Sequence, residues 1–244
     1  MPQYGIFQKE IMTGTIINVI AILVGGTIGL LFGARIPERF KTTIIAGMGL
    51  FTMVMGVQMF FESGNQLIVL GAMIIGTILG EWLGLEDRLE SFGLTLEKRF
   101  SGDVESGAGS RFVRGFMVAS LLYCIGPLAI LGSIQDGLTG DYNLLAVKST
   151  LDGFASVAFA STLGIGVMFS SIIILIYQGG ISLLAGALSA IVSDPMMNEM
   201  TATGGVILVG LGISNLLEIK KIRVGNFLPA LVIAPLIVWV LEKI

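Results

Sequence analysis

Residues 12–33 read MTGTIINVIAILVGGTIGLLFG and contain no Asp, Glu, Lys or Arg. A helix of about 20 apolar residues matches the hydrocarbon thickness of a bilayer. The run follows Lys9 and Glu10 and continues to Arg35. That is longer than the apolar core of about 7–15 residues in a cleaved signal peptide, so it is expected to be a first spanning helix.

Working outward, the whole chain has the same character. Of its 244 residues 54% are hydrophobic and only 13% are charged, and the mean hydropathy is +0.91. Soluble domains carry about 25% charged residues, so this chain has too few to cover a wet surface. Its 34 Gly would weaken helices in water, but in a membrane they let helix backbones approach closely. A single Cys allows no disulfide framework within the chain. With no His, the commonest metal ligand and general base near neutral pH is missing. The net charge of −3 and the lack of a basic tract argue against nucleic acid as a partner.

Apolar stretches between polar breaks place spans at 12–33, 42–61, 66–85, 112–132, 203–219 and 226–241, with a longer stretch from Leu144 to Val192. Of 14 Lys and Arg, eleven fall in three loops: Arg35, Arg39 and Lys41; Arg88, Lys98, Arg99, Arg111 and Arg114; Lys220, Lys221 and Arg223. Loops rich in Lys and Arg stay cytoplasmic, whereas 62–65, 133–143 and 193–201 contain none. Alternation then holds if the N-terminus lies outside and 144–192 crosses twice. The expectation is one all-α domain over 1–244, a polytopic helical bundle of about eight spans (seven to nine fit by length), with both termini outside. The surplus length of 144–192 is expected at its start, around Lys148 and Asp152, and Asp194-Pro195 is expected to end a helix.

Segment 86–110 is expected to be a cytoplasmic amphipathic helix and loop. Leu89, Phe92, Leu96 and Phe100 recur at helical spacing, the pattern of a helix lying on the membrane face, and 101–110 is rich in Gly, Ser and acid. Two glycine ladders stand out. Ala21, Gly25, Gly29 and Gly33 are each four apart, and Ala72, Gly76, Gly80 and Gly84 repeat the pattern 51 residues later. Such stripes let helices press together. The preferred reading is packing within one protomer; the other is a subunit interface, and it is the basis for expecting a homo-oligomer.

Polar residues at membrane depth are costly and tend to mark function. They concentrate between Ser120 and Thr162: Ser120 and Tyr123 ahead of Gly126-Pro127, then Ser133, Gln135 and Asp136, then Lys148 and Asp152 at i, i+4, then Ser156 and Ser161. Pro127 should break the helix. Re-entrant or broken helices near 133–166 lining a cavity would account for the pattern. The competing account is an external loop and surface helix bearing an ordinary exposed ion pair. Glu81 fits a side chain reaching the interface; Asn18, Gln178 and Asn215 fit amides bridging helices.

The runs 119–137 (ASLLYCIGPLAILGSIQDG), 148–153 (KSTLDG) and 159–166 (FASTLGIG) resemble the YdfK/YqgA-like family of bacterial inner-membrane proteins, as do Asn18 with Gly25-Gly26 and 221–230 (KIRVGNFLPA). The resemblance covers nearly the whole chain. It implies a multi-pass protein of the bacterial inner membrane, of unknown function and often labelled a transport protein, and it makes 133–137, Lys148 and Asp152 motif positions. The expectation is a membrane transport protein, carrier or channel, for a small polar solute or ion, with Ser120, Tyr123, Pro127, Ser133, Gln135, Asp136, Lys148, Asp152, Ser156 and Ser161 along its pathway. The second reading is a membrane scaffold or sensor assembled through the ladders at Gly25, Gly29, Gly33, Gly76, Gly80 and Gly84. An enzyme ranks third, because no catalytic motif is present; no cofactor or metal is expected. The lipid bilayer is the expected surrounding.

Overall fold

The computed structural model describes residues 12–100 and 110–243. Lys9 and Glu10, and the connector 101–109, lie outside the described residues. The helices are α1 (Thr13–Gly33), α2 (Glu38–Phe60), α3 (Gln66–Leu83), α4 (Leu85–Phe100), α5 (Arg111–Cys124), α6 (Pro127–Thr139), α7 (Asn143–Leu163), α8 (Gly166–Leu183), the short α9 (Ala185–Leu188), α10 (Asp194–Leu211) and α11 (Ala230–Leu241). Seven are long and apolar enough to cross a bilayer, with α10 extended through a π turn at Gly212–Leu216 and α11 preceded by a 3₁₀ turn at Val224–Phe227. Helices α5 and α6, bent by 65° at a short break, form an eighth if counted as one broken span.

Local signals set the ends. Asn65 caps α3, its Oδ1 accepting from the Leu67 N–H at 3.1 Å, and Gly84 closes it in the left-handed conformation at φ 60°. Ser110 caps α5, accepting from the Val113 N–H at 3.1 Å.

Two stretches differ from expectation. Asp194-Pro195 opens a helix rather than ending one, since Pro in a first turn loses only an N–H that would lack a helical partner anyway. Residues 194–201 therefore belong to α10 and not to a loop. Helix α7 runs unbroken through Lys148 and Asp152; the surplus length of 144–192 sits at the other end, in α9 and the turns that follow it.

The glycine ladders pack within the chain. Gly25, Gly29 and Gly33 lie against the backbone of Gly153, Val157 and Ser161, which makes α1 and α7 a close parallel pair. Gly76 and Gly80 lie against Ala230 and Asn226, which makes α3 and α11 antiparallel. The 51-residue repeat is thus not carried into a repeated helix pair. A third close crossing sets Gly56 of α2 against Gly205 of α10, antiparallel, and α10 is the most enclosed of the candidate spans. These relative directions are the ones that eight alternating crossings require.

Helix α4 is docked as well as amphipathic. Leu96 is buried, and the Phe92 and Phe100 rings lie 5.8 and 5.0 Å from those of Phe116 and Phe169. Glu86 is buried too, its carboxylate accepting from the Gly225 N–H at 2.6 Å and its own N–H donating to Asn226 Oδ1 at 2.8 Å. Burial pushes this carboxyl above its ordinary range, partly offset by the Gly225 N–H. Arg223 joins the ends of α3 and α4 through Glu81, at 3.0 Å, and Asp87.

Candidate functional site

The break between α5 and α6 follows from three residues, Ile125-Gly126-Pro127. Pro127 has no N–H and restricts the residue before it. Gly126 takes φ 128°, ψ 151°, a region that side-chain-bearing residues rarely enter. A Cβ there would have no heavy atom within 4 Å, so the break faces open space.

The break lies beside the middle of α7. Tyr123, near the end of α5, shares a 2.8 Å hydrogen bond between its hydroxyl and Ser156 Oγ. One turn earlier on α7, Asp152 is the tenth residue of 21, about 14 Å from the helix start at 1.5 Å per residue. Lys148 and Asp152 form an ion pair with only 5% and 7% of their surfaces exposed. The exposed-pair account is thereby excluded.

Behind this pair, Asn18 of α1 donates from Nδ2 to Asp152 Oδ2 at 3.0 Å and to Gln178 Oε1 of α8 at 3.3 Å. Four spans thus meet at one polar centre, with Lys148 Nζ 5.9 Å from the centroid of the Tyr123 ring. Asn18 Oδ1, Gln178 Nε2 and Ser120 Oγ are buried with no protein partner among the described residues. Buried polar atoms without partners are costly and rare.

On its other side the pair borders a cavity of about 840 Å³ between α2, the break, α7 and α10. Tyr123, Pro127, Lys148 and Asp152 line it, as does Gly126. Other predicted residues lie elsewhere. Ser133 donates to the Ala129 carbonyl at 2.6 Å, Gln135 to Asp141 Oδ2 at 3.1 Å, and Ser161 to the Ala158 carbonyl at 2.7 Å. Asp136, fully buried, accepts from the Gly14 N–H at 3.1 Å and so caps the first turn of α1, whose N-cap residue Met12 makes no side-chain cap bond.

Sequence reasoning missed the contribution of α2, whose Met48, Thr52 and Met55 form one wall. Its one signal was a concentration of Met, a side chain that suits adaptable surfaces. Asn18 and Gln178 bridge α1 and α8, as mid-span amides are expected to do; that Asn18 also reaches Asp152 has no signal in the sequence. Among the described residues no three Cys, Asp or Glu side chains lie close enough together to hold a metal ion.

The family model described as "Protein of unknown function (DUF554)" matches residues 13–239. The chain is 32% identical over 235 residues to the "Uncharacterized membrane protein YdfK" of Bacillus subtilis (strain 168), covering 95% of this chain and 97% of that one. It is 31% identical over 221 residues to the "Uncharacterized protein YqgA" of Escherichia coli (strain K12), covering 91% and 94%. No solved structure matches the chain.

Proposed function

The chain belongs to the DUF554 family, and on that premise we propose that it is a transport protein of the bacterial inner membrane whose pathway passes the α5–α6 break. One observation carries the reading: a helix pair broken beside the middle of α7 and next to a buried, hydrogen-bonded ion pair, both bordering one cavity. Half-helix ends recur in transporter sites because they offer backbone groups to a solute where lipid cannot solvate them.

In this reading the pair works as a latch. A solute or proton that neutralises either partner of Lys148–Asp152 releases the other, and Asn18 remains to hold Asp152. The solute passes without chemical change, and both termini lie outside.

A cysteine scan in a Cys124→Ala background tests this in membranes. Thiols at Thr52, Gly126 and Asp152 should react with small aqueous methanethiosulfonates and resist bulky ones. No reaction at any of the three would mean a dry core, and the transport reading would fall.

A further inference from the structure

Resting on that reading of the cavity, we infer that the ligand is an amphiphilic anion, an apolar chain with one negatively charged head, that enters sideways from the bilayer between α2 and α7. The cavity walls and mouth point that way. Phe51 and Met55 of α2 and Leu151 and Phe154 of α7 line the cavity and are themselves exposed on faces that lipid would cover. Its volume of about 840 Å³ falls in the usual range of roughly 300–1,000 Å³ for ligand pockets. A fully hydrated solute would find few partners on such walls, whereas an alkyl chain loses nothing by leaving lipid for them.

The floor selects the head group. Among the described residues Lys148 is the sole Lys or Arg on the lining, and its one hydrogen-bond partner is Asp152. Asp152 has a second donor in Asn18. An incoming carboxylate can therefore take over Lys148 while Asp152 stays hydrogen-bonded; an incoming cation that took Asp152 would strand Lys148 with only the Tyr123 ring. The N-terminus of α6, at Pro127 to Ala129, borders the same floor and adds positive partial charge. The other acid on the lining, Glu62, lies just past the end of α2 and is exposed, so it disfavours a negative head there and leaves Lys148 as its seat.

The test uses the full-length protein in phosphatidylcholine nanodiscs with a long-chain fatty acid carrying a diazirine near its chain end. Cross-links should map to 122–129 and 151–159, and excess dodecanoate should displace them while dodecylammonium and acetate do not. Ala155→Trp, which fills the cavity, should abolish them, and Leu70→Trp on the exposed face of α3 should not. The double variant Lys148→Met/Asp152→Asn leaves no lone buried charge; in it dodecanoate should compete about tenfold less well, the loss expected for one charge-assisted hydrogen bond.

Equal displacement by dodecylammonium overturns the inference, as does labelling spread over all lipid-facing helices. A disulfide between Phe51→Cys and Phe154→Cys of two different copies also overturns it, since a second protomer would then close the mouth. Aqueous labelling of the cavity without displaceable cross-links removes this inference and leaves the transport reading. Displaceable cross-links without aqueous labelling remove the transport pathway and leave a lipid-side binding site.

Discussion

Burial decides what Lys148 and Asp152 are worth. On a surface such an i, i+4 pair contributes a few tenths of a kcal/mol; with the charges 5% and 7% exposed, removing one leaves the other without its counter-ion. Lys148→Met should therefore destabilise the protein by about 3–5 kcal/mol, and Lys148→Met/Asp152→Asn should recover most of that loss in thermal unfolding in nanodiscs. If the double variant unfolds no later than the single one, the pair is not the coupled unit described. Gly126 makes a separate case. Its φ of 128° strains any Cβ, so Gly126→Ala should cost about 1–3 kcal/mol although the space around it is open.

Glu86 belongs to the same scale, outside the spans. Its carboxyl is raised by burial, so its folded form binds a proton more readily than its unfolded form. The resulting stability is full at low pH and is lost as pH rises through the raised value, above the ordinary 4.5. Glu86→Gln should thus gain on wild type between acid and neutral pH, as read from unfolding temperature across that range. A constant difference would show that the carboxyl does not titrate in this window.

Helix packing here turns on which glycines face backbone and which face nothing. A side chain at Gly29 would meet the Val157 carbonyl oxygen, which cannot rotate away, so Gly29→Leu should separate α1 from α7. Overpacking of about 1–3 kcal/mol is the least expected, with the distance between labels on the two helices as the readout. Gly47, in the middle of α2, meets nothing within 4 Å. There Gly47→Ala should stabilise by about 0.5–1 kcal/mol through helix propensity. Spacing revealed that both ladders exist, yet the facing residues, Gly153 in one case and Ala230 in the other, show no pattern that announces them. The amphipathic face of α4 was readable from Leu89, Phe92, Leu96 and Phe100, because period alone defines a face. Its docking on Phe116 and Phe169 was not, because period does not choose a partner.

Across the whole molecule, the helix directions permit eight alternating crossings, and the Lys and Arg distribution would then put both termini outside. Reporter fusions at each end should both be active only outside the cytoplasm. Opposite locations would mean that α5 and α6 do not together cross the bilayer. The span count and the polar character of 120–162 were legible in the chain because transfer into lipid depends on local composition, residue by residue, and composition is what a sequence records. The site was only half legible. Tyr123, Lys148, Asp152 and Ser156 converge because α5 and α7 lie side by side, and Asn18 joins them across 134 residues. Asp136, equally polar and nearby in sequence, is drawn away to cap α1. Which polar residues meet depends on how helix surfaces fit one another over long separations, and only the folded chain brings those surfaces into contact.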